Sequence, residues 1–153
     1  ASIVTEHLIR KTSKSYKSGW ITKGSGDSGI DFIGRMDIGS GFGSAKIIVL
    51  GQAKCEELNK PTNAIHIART VAKLKRGWLG VYVTTSYFSK PVQIEILEDK
   101  YSILLINGKI LSQEVNEIIH EQGFKSIQKY LEDIDGGYEG AIKHRDPEEI
   151  LLD

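Results

Sequence analysis

The sequence is poor in the residues that build disulfides and zinc sites, with one cysteine, Cys55, and four histidines among 153 residues. A single thiol excludes an intrachain disulfide, and so few ligands do not favour a structural zinc site. No run of about 18 apolar residues occurs, so no membrane span is predicted. The N-terminus lacks the charged and then apolar layout of a signal peptide. These absences predict a protein of the reducing cytoplasm, and the length fits one compact domain.

A net charge of either sign is also missing, because 20 basic and 20 acidic residues cancel. Their distribution is uneven: residues 1–90 hold 14 Lys or Arg and 6 Asp or Glu, whereas residues 91–153 hold 6 and 14. No acidic residue lies between Glu57 and Glu95. Affinity for a polyanion follows the local field, so the basic part predicts binding to nucleic acid. The alternative is a set of ordinary solvated faces that the fold intermixes.

Hydrophobic periodicity predicts an α/β chain with a central mixed β-sheet flanked by helices. The predicted elements are a helix at 3–14, strands at 19–23, 30–38 and 46–54, a helix from Thr62 or Asn63 to about Lys75, a strand at 78–85, a helix at 91–100, a strand at 103–106, and helices near 111–122 and 125–134. The short glycine-rich segment 39–44 predicts that the second and third strands form a hairpin. One domain, 1–153, with a helical C-terminal extension from about 111, accounts for this order.

Three residues that can carry chemistry lie on the two strands of this hairpin. Gln52 and Lys54 are two positions apart on a strand and therefore share a face, while Ala53 points to the other face. Asp31 lies on the preceding strand, just after a glycine turn. If the strands pair, a carboxylate, an amide oxygen and an ammonium group surround one point.

This combination suits hydrolysis of a phosphodiester, which needs a cation on the phosphate oxygens and an activated water. Mg²⁺ takes oxygen ligands and is usually held by one or two carboxylates together with waters. Asp31 is the predicted anionic ligand, and the Gln52 side-chain oxygen and the Ala53 carbonyl complete the set. Lys54 would orient the water or stabilise the developing charge.

Two carboxylates leave alternatives open at this site. Asp27 lies on the other side of the same turn as Asp31, where an aspartate often hydrogen-bonds the loop backbone instead; Asp31 is preferred because it lies within the strand. Glu6 shares a helical face with apolar residues and could supply a second carboxylate. It could equally form an ion pair with Arg10, four residues along the helix.

The spacing of three basic residues predicts a contact with a nucleic-acid backbone. Arg69, Lys73 and Arg76 would share one face of the predicted 62–75 helix and could grip phosphates, although a plain solvated face is the alternative. The glycine turn at 24–29 is not a nucleotide-binding P-loop, because no Gly-Lys-Ser/Thr follows it.

The joint pattern GSGDSGIDF at 24–32 and LGQAK at 50–54 resembles the Mrr-like branch of the PD-(D/E)xK nucleases, which carries Gln where most of the superfamily has Glu or Asp. The spacing between the two motifs is most similar to that of the MspJI family of modification-dependent restriction endonucleases. The resemblance implies a restriction-endonuclease-like core. In it, Asp31 is the metal-binding Asp, Gln52 the variant acidic position and Lys54 the catalytic Lys, with Glu6 as the N-terminal helix Glu.

The resemblance also implies a prokaryotic, cytoplasmic endonuclease domain that cuts double-stranded DNA near methylated cytosine with Mg²⁺, for which Mn²⁺ could substitute. Such enzymes read the modified base with a separate domain that flips it out of the duplex; this chain corresponds to the cleavage half alone. Ser25 in the glycine turn is assigned to DNA binding with the basic residues, and a homo-oligomer is expected because both strands are cut. Two alternatives remain: a catalytically silent DNA-binding or assembly module, because Gln52 is neutral, and a nuclease of four-way junctions.

Overall fold

The computed structural model describes residues 1–22 and 29–153. Ser25 and Asp27, both predicted to act near the site, lie outside the described residues. Within the described part, five helices and five strands follow one another with two short 3-10 helices, at Gly41–Gly43 and Pro147–Leu151. The elements are α1 Ser2–Arg10, β1 Tyr16–Ile21, β2 Phe32–Ile38, β3 Ala45–Lys54, α2 Ala64–Val71, β4 Leu79–Thr84, α3 Lys90–Glu98, β5 Ile103–Ile106, α4 Gly108–Glu121 and α5 Ile127–Ala141.

The five strands form one mixed sheet in the order β1-β2-β3-β4-β5. β1, β2 and β3 are antiparallel neighbours, whereas β4 and β5 run parallel to β3. The connections explain this change, because the short segment between β2 and β3 permits a hairpin, while α2 and α3 provide the long crossovers that parallel strands need. The predicted mixed sheet and its β2–β3 hairpin are therefore confirmed.

Alternation along the strands gives the sheet two apolar faces. One face packs against α1, α4 and α5 in a cluster that includes Phe32, Val49, Val81 and Ile118. The other face carries two clusters, one under the C-terminal 3-10 helix and one under α2 and α3. The predicted C-terminal extension corresponds to α4 and α5, and α4 contributes directly to the main core. No helix among the described residues is long and apolar enough to cross a bilayer.

Close packing fixes the pairing of β2 with β3 immediately before the polar end of β3. Phe32 lies opposite Gly51, and its ring covers the space that a side chain would occupy there. A Cβ built on Gly51 would come 1.9 Å from Phe32 Cζ, so this position requires glycine. The contact holds the backbone on either side of Gly51 in register with the start of β2.

The helix predicted at 3–14 ends at Arg10, and the one predicted near 125–134 continues to Ala141. Two other predicted boundaries are wrong for identifiable reasons. The first strand begins at Tyr16 rather than residue 19, because a register shift between Ser18 and Trp20 interrupts the alternation that marks a strand. The helix predicted to continue to about Lys75 ends at Val71. Beyond it, the chain turns so that Leu74 packs beside the cluster under the C-terminal 3-10 helix.

This early helix end also corrects the predicted arrangement of the basic residues. The Lys73 N–H donates to the Thr70 carbonyl at 3.1 Å, a three-residue turn rather than a continued α-helix. Arg69 lies on α2, whereas Lys73 and Arg76 follow it in the turn. The three side chains therefore do not share one helical face.

Candidate active site

Asp31, which lies one residue before β2 rather than within the strand as predicted, is hydrogen-bonded to the end of β3. The Asp31 backbone N–H donates to the Gly51 carbonyl at 2.8 Å, and the Ala53 N–H donates to Asp31 Oδ2 at 2.7 Å. Backbone N–H and C=O groups of one strand residue point to the same side, so the Ala53 carbonyl also faces β2. The Lys54 carbonyl, one residue on, accepts from Thr85 N–H on the β4 side, in keeping with this alternation.

Gln52 and Lys54 extend from the face of β3 that packs under α2. The Thr70 hydroxyl donates a short hydrogen bond to Gln52 Oε1. Lys54 Nζ lies 2.5 Å from His66 Nε2. Both partners belong to α2, so the shared face of Gln52 and Lys54 is occupied by one helix.

A further ammonium group approaches Gln52 from the turn after α2. Gly29 has a positive φ of 52°, and a Cβ built there would lie 2.9 Å from Lys73 Nζ and 3.5 Å from Gln52 Nε2. Lys73 therefore reaches the start of β2 beside the Gln52 amide, although it does not share a helical face with Arg69. Arg69 and Arg76 are exposed on the same part of the chain.

Glu6 occupies a different environment from the other predicted site residues. Its Oε1 lies 2.8 Å from Arg10 Nη2, the ion pair that the helical spacing had offered as the alternative. Its Oε2 accepts a hydrogen bond from the Ser18 hydroxyl on β1 at 2.6 Å. A metal-binding role for Glu6 stays a prediction, and it would require the carboxylate to leave these partners.

The structure adds a carboxylate that the sequence pattern did not single out. Glu56 follows Lys54 by two positions, and its Oε2 accepts hydrogen bonds from the hydroxyls of Thr84, at 2.9 Å, and Thr62. Both threonines are buried. The period of two that joins Gln52 with Lys54 continues to Glu56, and that was the available signal.

The floor of the site under α2 is apolar. Tyr82 pairs with Gln52 across β3 and β4, and its side chain is fully buried. Its hydroxyl has no hydrogen-bond partner within the described part of the chain. Burial, and then the charges of Glu56 and Asp31, raise the pKa of Tyr82, so the phenol stays neutral.

The donors at the strand ends fit a divalent cation of the oxygen-binding type. Asp31 Oδ1 has no hydrogen-bond donor among the described residues, because the single bond to this carboxylate goes to Oδ2. An ionised carboxylate oxygen, an amide oxygen and a backbone carbonyl are hard ligands of the kind that Mg²⁺ prefers. The residues at the strand ends therefore fit Mg²⁺ by the chemistry of their ligand atoms.

Comparison with known proteins agrees with this geometry. The family model of the Mrr catalytic domain, described as a restriction endonuclease, matches residues 4–115. The MspJI restriction endonuclease, solved in complex with a 27-mer oligonucleotide, has 40% sequence identity and a TM-score of 0.91, with 99% of this chain and 34% of that chain covered. The DNA modification-dependent restriction endonuclease AspBHI shares the fold, at 20% identity and a TM-score of 0.66, with 88% of this chain and 33% of that chain covered. No curated protein sequence matches the chain.

These matches settle the class of the domain. The described chain spans about one third of the length of both solved relatives. Nucleases of this class generally use divalent metal ions. The family match covers most of α1, the whole sheet and the first half of α4, which is the part of the fold that carries Asp31, Gln52 and Lys54. The chain belongs to the restriction endonuclease family, as an Mrr-type nuclease domain with an MspJI-like fold.

Proposed function

We propose that this domain hydrolyses phosphodiester bonds of double-stranded DNA with Mg²⁺, at a site made by Asp31, Gln52 and Lys54. The observation that supports the proposal is the pairing of the Asp31 backbone and carboxylate with the end of β3, the strand that carries Gln52 and Lys54. Asp31 is tied to the Ala53 N–H at 2.7 Å, while Gln52 and Lys54 share the neighbouring face. The two adjoining strand ends thus carry one carboxylate, one amide and one ammonium group, the set that the proposal requires.

Asp31, the Gln52 amide oxygen and the Ala53 carbonyl would hold the metal. The bound cation would neutralise charge on the scissile phosphate and lower the pKa of a bound water. The protein's contribution is to fix its oxygens before substrate arrives: the Ala53 N–H orients the Asp31 carboxylate, and the Thr70 hydroxyl orients the Gln52 amide. Fixed dipoles of this kind need no reorganisation as charge develops.

Lys54 would orient the attacking water and stabilise the charge that develops on the phosphate. The position of Lys73 beside Gln52 supports a contact with the same or a neighbouring phosphate. Arg69 and Arg76, together with Ser25, would bind phosphates farther along the backbone. Such contacts position the duplex and carry no sequence information.

The substrate class follows from the solved relatives. MspJI was solved with an oligonucleotide, and AspBHI is a DNA modification-dependent enzyme. Since the chain spans one third of each relative, we propose that it is the cleavage half of a modification-dependent enzyme that recognises 5-methylcytosine through a separate domain. Cutting both strands needs two sites, so a homo-oligomer acting in a prokaryotic cytoplasm is part of the proposal.

One observation favours a second candidate, a DNA-binding or assembly module without activity. Gln52 is neutral, and the carboxylate of Glu56 already accepts hydrogen bonds from two threonine hydroxyls. Asp31, beside the Ala53 backbone, is therefore the one carboxylate of the proposed metal site. A site with one carboxylate binds a divalent cation more weakly than a site with two.

Cleavage of methylated and unmethylated plasmid by the full-length protein, with Mg²⁺, Mn²⁺ or EDTA, tests both candidates. The nuclease proposal expects metal-dependent cutting that Asp31→Ala and Lys54→Ala abolish, while Lys54→Ala still binds the duplex. Glu117→Gln, on the exposed surface of α4, is the matched control and should cut normally. Full activity in Lys54→Ala would contradict the proposed site. Binding without cutting by the unaltered protein in either metal would favour the silent module.

A further inference from the structure

Helix α2 supplies one hydrogen-bonding partner to each of the two functional side chains of β3. Thr70 is 1% exposed, and its hydroxyl donates to Gln52 Oε1. The hydroxyl also lies 3.1 Å from the His66 carbonyl, the usual helical partner of a threonine. A hydroxyl has one proton, and Gln52 Oε1 and the His66 carbonyl are the two acceptors within its reach.

His66 makes the second contact, one turn earlier on the same helix. Its Nε2 lies 2.5 Å from Lys54 Nζ. A lysine ammonium can only donate, so His66 Nε2 is the acceptor in this contact. The imidazole thus selects one direction for the Lys54 head group.

The two spacings match for a geometric reason. Residues four apart on a helix are separated by about 6 Å along its axis. Residues two apart on a strand are separated by about 6.6 Å. A helix antiparallel to β3 can therefore place Thr70 opposite Gln52 and His66 opposite Lys54 at the same time, the order that the contacts follow.

We infer that Thr70 and His66 are positioning residues of the nuclease site. Thr70 holds the Gln52 amide with its oxygen, rather than its NH₂ group, at a fixed place, and His66 holds the ammonium of Lys54. In the proposed site, neither residue is assigned a contact with the phosphate or the metal. The inference rests on the proposed function, because it concerns the orientation of Gln52 and Lys54.

If Thr70 and His66 position the site, the loss of each should impair a different property of the enzyme. Loss of the Thr70 hydroxyl frees the Gln52 amide to rotate, which weakens the proposed metal site. Loss of the His66 acceptor frees the Lys54 ammonium, which slows the chemical step and leaves duplex binding intact. Removing a partner that orients a metal ligand or a catalytic group typically costs about 10- to 100-fold in affinity or activity.

Thr70→Val and Thr70→Ser separate positioning from packing. Valine keeps the volume and branching of threonine and removes the hydroxyl, whereas serine keeps the hydroxyl and removes a methyl group. We expect Thr70→Val to raise the Mg²⁺ concentration for half-maximal single-turnover cleavage about tenfold or more. Thr70→Ser should keep the concentration of the unaltered protein. The opposite order, with Thr70→Ser impaired and Thr70→Val normal, is the packing result and would overturn the inference.

His66→Gln and His66→Leu provide the corresponding pair for Lys54. Glutamine offers an amide oxygen near the place of Nε2, and leucine fills similar space without an acceptor. We expect His66→Leu to lower the single-turnover rate about 10- to 100-fold at saturating DNA with an unchanged Kd for the duplex. His66→Gln should restore most of that rate. Equal rates in the two variants would overturn the role of His66.

Two further variants distinguish failure of this inference from failure of the proposed function. Gln52→Ala and Lys54→Ala are measured in the same assay. If both cut normally, the proposed site itself is wrong. If both are inactive while Thr70→Val and His66→Leu behave as the unaltered protein, the site stands and the positioning role alone is refuted.

Discussion

Two polar clusters of this domain, on opposite faces of the sheet, use charge in different ways. Between α1 and α4, His7 Nδ1 and Nε2 contact Glu114 at 2.6 Å and Glu121 at 3.1 Å. Lys11 Nζ contacts Glu114 at 2.7 Å and Glu117 at 2.6 Å. Each charge in this α1–α4 network has a partner of opposite charge within the chain.

At the proposed active site, the charged side chains are not paired with opposite charges in this way. Asp31 receives one backbone N–H, and Lys54 donates to a histidine ring, so neither has an ion-pair partner among the described residues. An unneutralised charge close to an apolar floor adds little to stability but remains available to a ligand. The α1–α4 network therefore serves the fold, whereas the charges of the proposed site remain available to a metal ion and a phosphate.

Asp31→Asn should have the largest effect on cleavage and little effect on stability. Asparagine retains an oxygen for the Ala53 N–H but loses the negative charge of the proposed metal site. Since a catalytic cation contributes several kcal/mol to transition-state stabilisation, cleavage should fall roughly a thousandfold or more. The midpoint of thermal unfolding should be unchanged or higher. Single-turnover cleavage and calorimetry measure the two effects, and a large loss of stability would show that Asp31 is structural.

Glu114→Gln should give the reverse pattern. The Glu114 side chain is 7% exposed and contacts both His7 and Lys11, so its neutral replacement leaves these two cations with only the exposed carboxylates of Glu121 and Glu117. Hydrogen bonds to charged groups contribute about 1.5–3 kcal/mol, and the free energy of unfolding should fall by about 2 kcal/mol. Denaturant unfolding measures this change, and cleavage at 25 °C should be unaffected.

Glu117→Gln is the matched control for this variant. Its side chain is 52% exposed, and exposed ion pairs contribute little, so the free energy of unfolding should change by less than about 0.5 kcal/mol. Equal losses in the two glutamate variants would mean that burial does not distinguish them.

The two regions also differ in how far sequence patterns predict them. The end of β3 was predictable, because the apolar stretch before Gln52 and Lys54 and the period of two assign both the strand and its faces. Glu6 could not be assigned from the sequence. Its helical spacing fitted an ion pair with Arg10 and a place facing the sheet, and the contacts with Arg10 and Ser18 combine features of both.

Partners from other elements could not be predicted, since periodicity describes one element at a time. No sequence pattern singled out His66, but α2 lies against the end of β3 and brings this residue to Lys54. The end of α2 depends on tertiary packing of Leu74, which interrupts a pattern that alone would extend the helix. Lys73 reaches the site through that interruption.

A smaller effect concerns the pH dependence of the α1–α4 network. Burial lowers the pKa of His7, but hydrogen bonds and charge interactions with Glu114 and Glu121 outweigh it, so the pKa lies above its ordinary value of 6.5. Burial raises the pKa of Glu114, but Lys11 and His7 outweigh it, and that pKa lies below 4.5. Because the folded-state pKa of His7 is raised, its stabilisation is complete below pH 6.5 and is lost as the pH rises through the raised pKa.

His7→Gln tests this sign. The stability advantage of the unaltered protein over His7→Gln should be greatest between about pH 4.5 and 6.5, where His7 is charged and Glu114 is ionised in both states. It should decline as the pH rises further. Urea unfolding at a series of pH values measures the difference. An advantage that grows from pH 6.5 to 9 would contradict the ion pair.

The smallest expected effect concerns the salt dependence of DNA binding by exposed basic residues. Arg69 is exposed on α2 beside the site, and each phosphate contact contributes a slope of about −0.9 to the dependence of log Kobs on log salt concentration. Arg69→Ala should reduce the magnitude of the slope for duplex binding by about one and leave cleavage at saturating DNA unchanged. Lys11→Ala removes the same charge from the α1–α4 network and should leave the slope unaltered, because the Lys11 ammonium is engaged by Glu114 and Glu117. Equal slopes for the two variants would mean that the field of the whole domain, rather than contacts around the site, attracts the duplex.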